Sequence, residues 1–263
     1  MLKLGVTGAA GRMGRRIVAM GTESGNFEIT AGMEFSGCEL MGKDVGQLAG
    51  LGPMGVPVTE KPENPVDVII DFSLPDGSKQ WVEYCSENNI PLVVGTTGLS
   101  EAQRQELIDA GAKIPVLLGA NMSLGVNLLF KLAAQVAGAL DDQYDIEVVE
   151  SHHRFKRDAP SGTAVELARQ MAIAKDWGFP DCMTHGREGK DALREPKTIG
   201  MHAVRAGDIV GEHEIYFSAL GETITLKHRA HSRDTFVTGA LTAAKWLVKQ
   251  KPGFYTMFDV LGL

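Results

Sequence analysis

The sequence predicts an α/β protein: a doubly wound parallel sheet first, then a smaller α+β region built on a mixed sheet. Three observations carry this. Short apolar runs alternate with helix-patterned segments up to about residue 118. One of those runs, 66–72, is apolar nearly throughout, as a parallel strand covered on both faces should be. Beyond about residue 123 the pattern changes to alternating strands joined by glycine turns.

Residues 2–7 alternate as a short strand, a glycine-rich turn follows, and 14–20 has helical spacing through Met13, Ile17 and Met20. Further strands are expected at 27–33, 66–72, 91–94 and 114–118, with helices at 77–89 and about 101–110. In the second region a helix from about 126 to 139 leads into the alternating run 144–150, and another helix covers about 163–176. Strands at 202–205, 211–219 and 222–228 follow, the last two as a hairpin around Leu220-Gly221. The closing segment 235–249 lines up Phe236, Val237, Ala240, Leu241, Ala244, Leu247 and Val248 on a helical face that returns to the first region. The expected organisation is therefore one domain of residues 1–123 rejoined by 234–263, and a second of residues 124–233.

At 263 residues, with 44% hydrophobic and 22% charged residues, the composition is that of a globular protein and not of a disordered one. The net charge of −7 opposes general nucleic-acid binding. Cys38, Cys85 and Cys182 are odd in number and form no zinc-type spacing, so they are read as reduced thiols in a cytoplasmic protein. The N-terminus lacks the apolar core of a signal peptide, and the apolar stretch 116–140 carries Asn121, Asn127 and Lys131, which fits a buried loop and helix better than a membrane span.

The turn Gly8-Ala9-Ala10-Gly11-Arg12-Met13-Gly14 spaces its glycines three apart. After a strand and before a helix, this suits a dinucleotide pyrophosphate: Gly8 for a tight strand exit, Gly11 for close backbone approach, Gly14 for close helix–sheet packing. Glu34 lies 20 positions after Gly14 at the end of the second strand, where a carboxylate accepts hydrogen bonds from ribose hydroxyls. A 2′-phosphate would meet like charge there, and the next residue, Phe35, supplies no cation, so NADH is preferred over NADPH. Arg12, Arg15 and Arg16 stand as partial compensation. Gly95, Thr96 and Thr97 leave the fourth strand, and Gly119, Ala120, Asn121 and Met122 the fifth, both at carboxyl ends, where open sheets bind ligands.

The densest chemistry lies in Glu150-Ser151-His152-His153-Arg154-Phe155-Lys156-Arg157-Asp158-Ala159-Pro160-Ser161-Gly162-Thr163. Histidine exchanges protons near neutrality, and Lys156 can attract a carboxylate or donate a proton. Ser161, Gly162 and Thr163 open a helix and offer amide and hydroxyl donors to an anion. Together they suit a small acidic substrate.

Through GAAGRMG (8–14), DFS (71–73), GTTG (95–98), ANMSLGVN (120–127), ESHHRFKRDAPSGTA (150–164) and RAGDIVGEHE (205–214), nearly the whole chain resembles the bacterial dihydrodipicolinate reductase family, the 4-hydroxy-tetrahydrodipicolinate reductases of lysine and diaminopimelate biosynthesis. The resemblance implies a Rossmann-like cofactor domain, and a mixed-sheet domain for substrate and homotetramer contacts. It implies His152 and Lys156 as the proton-donating pair, His153 with Gly162 and Thr163 as substrate holds, and residues 8–13, Glu34, 95–97 and 119–122 as holds for NADH or NADPH. Many members carry an arginine after the position of Glu34; Phe35 departs from that. Arg233, just before the closing helix, is a further candidate without a placed role.

Two other classes remain open on sequence grounds: a different nicotinamide oxidoreductase of a small acidic substrate, and a non-enzymatic dinucleotide sensor. The 150–164 segment weighs against both. A metal role for His228 and His231, or for His185, His202 and His213, lacks a ligand pattern, and none is expected.

Overall fold

The computed structural model describes residues 1–263. The first region runs β1 (Leu2–Thr7), α1 (Arg12–Glu23), β2 (Phe27–Met33), α2 (Val45–Ala49), β3 (Val58–Thr59), β4 (Val68–Asp71), α3 (Pro75–Asn88), β5 (Leu92–Val94), α4 (Glu101–Ala110) and β6 (Pro115–Leu118). Then come α5 (Leu124–Ala139), β7 (Asp145–His152), α6 (Gly162–Lys175), β8 (Met183–His185), β9 (Ile199–Arg205), β10 (Gly211–Ala219) and β11 (Glu222–Ala230). The chain ends with α7 (Asp234–Leu247), β12 (Gly253–Tyr255) and α8 (Met257–Leu261). No helix is long and apolar enough to cross a membrane.

Seven strands form a wholly parallel sheet in the order β12-β6-β5-β4-β1-β2-β3. The chain winds outward from β1 through β2 to β3, then crosses back to β4, β5 and β6. The winding sense thus reverses between β1 and β4, the position at which an open sheet leaves a crevice at its carboxyl edge.

Alternation explains the two cores. Val68 and Ile70 of β4 join Leu4, Val6, Ile17 and α7 residues Val237, Ala240 and Leu247 on one face. Ile69 points the other way, to Leu92, Val94 and Val116, with Trp81 and Cys85 of α3 and Leu107 of α4. Both faces are covered, which is why β4 reads as continuously apolar. The closing helix belongs to this first core. It lies so close that a Cβ on Gly239 would stand 1.7 Å from the Met122 carbonyl oxygen.

The second sheet is mixed, in the order β11-β10-β7-β9-β8. β7 runs antiparallel to β10 and parallel to β9. Its buried positions alternate as Ile146, Val148, Glu150 and His152, and those of β10 as Gly211, His213, Ile215 and Phe217. By contacts the chain forms two compact units, Met1–Leu124 with Asp234–Leu263, and Gly125–Arg233.

The differences from sequence expectation are local. The strand expected at 66–72 is β4 and is shorter, covering Val68–Asp71, while β7 runs on to His152 beyond the expected end at 150. The short elements α2, β3, β8, β12 and α8 were not expected.

Candidate active site

In the parallel sheet, Thr7, Asp71, Val94 and Leu118 lie in one row: Thr7 pairs with Asp71, Asp71 with Val94 and Val94 with Leu118. The residues that follow them, Gly8, Phe72, Gly95 and Gly119, are therefore brought to one carboxyl edge. Gly95 N–H donates to the Asp71 carbonyl at 2.8 Å and Gly119 N–H to the Val94 carbonyl at 3.0 Å, which carries the row past the strand ends.

The glycines at this edge are there for space. Gly8 has a φ of +67°, and a Cβ on it would stand 2.5 Å from the Phe72 carbonyl oxygen. A Cβ on Gly14 would meet the Gly8 carbonyl oxygen at 2.1 Å, so α1 can approach β1 only without one. Gly95 lies under the Phe72 ring, and a Cβ there would sit 2.4 Å from it. Gly11 is the exposed N-cap of α1 with no side chain to occupy the first N–H groups, which leaves the helix start open to an anion.

Beside this turn, a cavity of about 480 Å³ is lined by Gly8, Gly11, Glu34, Phe35, Leu74 and Asp76, among others. Glu34 leaves the end of β2 and its Oε1 accepts from the Ala10 N–H at 3.0 Å. Phe35 and Leu74 are largely exposed at the cavity. The space, the open helix start and the placed carboxylate fit the pyrophosphate and adenosine ribose of a dinucleotide.

Of the other candidates, Arg12, Thr97 and Ala120 are exposed, and Met13 and Asn121 are partly so. Ala9, Thr96 and Met122 are buried, so their side chains serve packing and a ligand would meet backbone atoms there. Thr96 donates to Asp71 Oδ2 at 3.0 Å. Asp71 is fully buried and also accepts from Ser78 Oγ at 2.6 Å, from the Ser73 N–H at 3.0 Å and from the Thr7 hydroxyl. It ties the ends of β1, β4 and β5 to α3, a role that the motif DFS alone did not reveal.

In the second unit, His152 ends β7 with its Nδ1 2.5 Å from Glu150 Oε2. A Cβ on Gly211 of β10 would crowd His152 Nε2 at 3.1 Å. Lys156 lies in the turn after β7, its Nζ 2.9 Å from Asp158 Oδ1. His153, in the same turn, is half-buried. Ser161 caps α6 through Oγ, which accepts from the Ala164 N–H at 3.2 Å. Gly162 is exposed, with open space where a Cβ would be, and Thr163 is half-buried. Arg233 is exposed at the chain's return to the first unit.

Sequence reasoning missed three members of this cluster. Glu150 is 1% exposed, yet Arg205 of β9 places Nη1 2.8 Å from its Oε2 and Nη2 2.7 Å from its Oε1. Burial alone would raise the Glu150 carboxyl; the hydrogen bonds from His152, Arg205 and the Ser161 backbone outweigh it and bring it down to about 2. His213 lies 3.1 Å from Ser161 Oγ through Nε2, and its ring stands edge-on to His152 at 5.3 Å. Burial, reinforced by the neighbouring His152, pushes His213 down to about 3, so it is neutral at pH 7. The available signal was the register: a glutamate and a histidine fall on the apolar phase of β7 and β10.

The models for the N-terminal and C-terminal parts of dihydrodipicolinate reductase match residues 2–122 and 125–261. The chain belongs to the dihydrodipicolinate reductase family. It is 46% identical over 264 residues to the 4-hydroxy-tetrahydrodipicolinate reductase of Magnetococcus marinus, covering 99% of this chain and 98% of that one. It is 44% identical over 266 residues to the enzyme of the same name from Pseudoalteromonas atlantica, covering both chains fully. A solved structure of dipicolinate-bound dihydrodipicolinate reductase from Paenisporosarcina sp. TG-14 superposes with a TM-score of 0.76 at 24% identity, covering 98% of each chain, and so shares the fold. The family is one of nicotinamide-dependent oxidoreductases; its N-terminal model lies within the parallel-sheet unit, while its C-terminal model spans the mixed sheet and also α7, β12 and α8, which belong to the parallel-sheet unit.

Proposed function

We propose that the chain reduces 4-hydroxy-tetrahydrodipicolinate to tetrahydrodipicolinate with loss of water, in lysine and diaminopimelate biosynthesis. The observation that carries this reading is the cluster at the end of β7, where His152, Lys156 and the start of α6 meet the needs of a dianionic ring that must gain a proton. The first unit is its dinucleotide-binding domain, and the second serves substrate binding and assembly into a homotetramer.

When bound, the reduced nicotinamide supplies hydride to C4 of the conjugated ring left after loss of water. The protein's own residues complete the reaction. Electron density moves toward the ring nitrogen, and C3 takes a proton from His152 in its charged form, or from a proton routed through Lys156. The two substrate carboxylates are held by the Lys156 ammonium and by the N-terminus of α6 at Gly162 and Thr163, with His153 beside them. Dipicolinate, the planar dicarboxylate named with the Paenisporosarcina structure, should occupy the same holds.

The cofactor of choice in this reading is NADH. Glu34 and Asp76 both line the cavity beside the glycine turn, and a 2′-phosphate would add a third negatively charged group. Of the three arginines that stood as compensation, one is held at the glycine turn itself and one is paired with Asp234. Arg15 Nε donates to the Ala10 carbonyl at 2.7 Å, and Arg16 holds Asp234 at 2.8 and 2.9 Å.

The test is oxidation of NADH and of NADPH with substrate generated in place from pyruvate and aspartate semialdehyde by the preceding synthase. Turnover that depends on the synthase supports the reading. Dinucleotide binding without turnover would make the chain a sensor instead.

A further inference from the structure

The proton donor and the carboxylate hold proposed above meet on a side chain assigned to neither. Glu150 Oε2 contacts His152 Nδ1 at 2.5 Å, while Oε1 accepts from the Ser161 N–H at 3.0 Å. Arg205 bonds both oxygens. His152 and Arg205 are register partners across β7 and β9, so the guanidinium and the imidazole approach the carboxylate from adjoining strands. A carboxylate has about four acceptor positions, and these four contacts fill them. Ser161 is held a second time, through Oγ, by its contact with His213.

We propose that Glu150 is a positioning residue that couples the two halves of the site: it keeps a proton on His152 Nδ1, so that Nε2 is the atom that delivers protons, and it fixes the Ser161 backbone so that the start of α6 presents its N–H groups to a substrate carboxylate. Arg205 is what allows a charge to be kept there. A bare carboxylate at 1% exposure would be neutralised or expelled, whereas one bonded by a bidentate guanidinium stays ionised and accepts only. A histidine whose Nδ1–H is held by a carboxylate has its ring orientation and tautomer set, and its charged form is stabilised as it forms. Gly211 fits this assignment, since any side chain at that position would crowd Nε2 of the same ring.

An amide in place of Glu150 separates this role from a merely structural one. The oxygen of a glutamine can keep the Ser161 N–H and Arg205 Nη2, but its NH2 then faces His152 Nδ1 as a donor, gives up the Arg205 Nη1 bond, and drives the ring proton to Nε2. The neutral ring then has its proton on the wrong nitrogen, and the charged ring loses its counter-ion. The charged and titratable groups around His152 are Glu150 on its own strand, Arg205 on β9 and His213 on β10, with the Lys156–Asp158 pair in the turn that follows.

The inference rests on the reductase reading, and one of its measurements does not need turnover. Full-length protein labelled with ¹⁵N-histidine is compared as wild type, Glu150→Gln and Ser161→Ala. Long-range ¹H–¹⁵N correlation reads the neutral His152 ring, with its signals assigned from the His152→Gln spectrum. Wild type is expected to carry the proton on Nδ1 and Glu150→Gln on Nε2. Dipicolinate, followed by calorimetry, should bind Glu150→Gln at least about 10-fold more weakly, and kcat should fall about 10²-fold or more. Ser161→Ala should weaken dipicolinate and raise KM while the His152 proton stays on Nδ1.

A wild-type ring protonated on Nε2 overturns the proposal, even if Glu150→Gln does not fold. So does a folded Glu150→Gln with an unchanged tautomer, or with wild-type affinity for dipicolinate. If wild type shows the Nδ1 tautomer but neither binds dipicolinate nor turns over, the tautomer arm stands, the anion-hold arm is overturned, and the reductase reading is what has failed.

Discussion

The backbone N–H of Ala10 donates to Glu34 Oε1 at 3.0 Å, so the carboxylate at the end of β2 is pinned over the glycine turn by one oxygen. In the proposed reading the other oxygen accepts from the ribose hydroxyls. A KM for NADH below that for NADPH is expected, and Phe35→Arg should narrow the gap by giving a 2′-phosphate a cation where the exposed Phe35 ring now stands. Steady-state kinetics with both cofactors checks this, and a wild-type preference for NADPH would refute the reading of Glu34.

His152→Gln and Lys156→Met are each expected to lower turnover by at least about 10²-fold, the scale of losing a positioned proton donor. Lys156→Met should also raise the KM for the dicarboxylate, because its ammonium is one of the proposed anion holds. Near-normal kcat in either purified variant would remove that residue from the mechanism.

Asp71→Ala would leave three hydroxyls, those of Thr7, Ser78 and Thr96, without their shared buried acceptor. A cost of about 3 kcal/mol follows, seen as a drop in Tm of roughly 6–12 °C. Because the same carboxylate ties the ends of three strands at the edge proposed to hold the cofactor, NADH should also bind more weakly. An unchanged Tm in calorimetry would contradict the accounting.

Acid should destabilise the fold in two steps. His213, held at about 3 in the fold, stays unprotonated while the unfolded chain takes up a proton near 6.5, so stability falls as pH drops from about 6.5 toward 3. Glu147 and Glu150, both lowered to about 2, add stability that is complete above about 4.5 and is lost as pH falls from there toward 2. For Glu147, the bonds from Arg187, His202 and Arg194 outweigh a burial that acts the other way. Denaturation curves across this range should show His213→Asn with a flatter profile between about 6.5 and 4.5 than wild type. An identical profile would show that His213 titrates normally.

Much of this arrangement is legible in the chain itself, and the remainder is hidden for definite reasons. The bounds of β2, α4 and β10 follow from their periodicity, and GAAGRMG announces a strand, turn and helix. Strand β12, in contrast, is three residues long and owes its place to pairing with Pro115–Leu117, which no local pattern encodes. The Glu150 cluster is hidden by distance along the chain: Arg205 lies 55 positions away and His213 lies 52 from Ser161. A glutamate within an alternating strand reads as a surface residue until its phase is compared with Ile146 and Val148. Asp71 is similar, with donors 64, 7 and 25 positions off.

Ser123 and Thr235 touch through their hydroxyls at 3.2 Å, and α7 begins where the polypeptide has just come back from a detour of more than a hundred residues. Exit and re-entry are thus neighbours on the parallel-sheet unit. In topological terms the mixed sheet is an insert: a chain that ran from Leu124 straight into Asp234 would need only a brief splice to keep its Rossmann frame continuous.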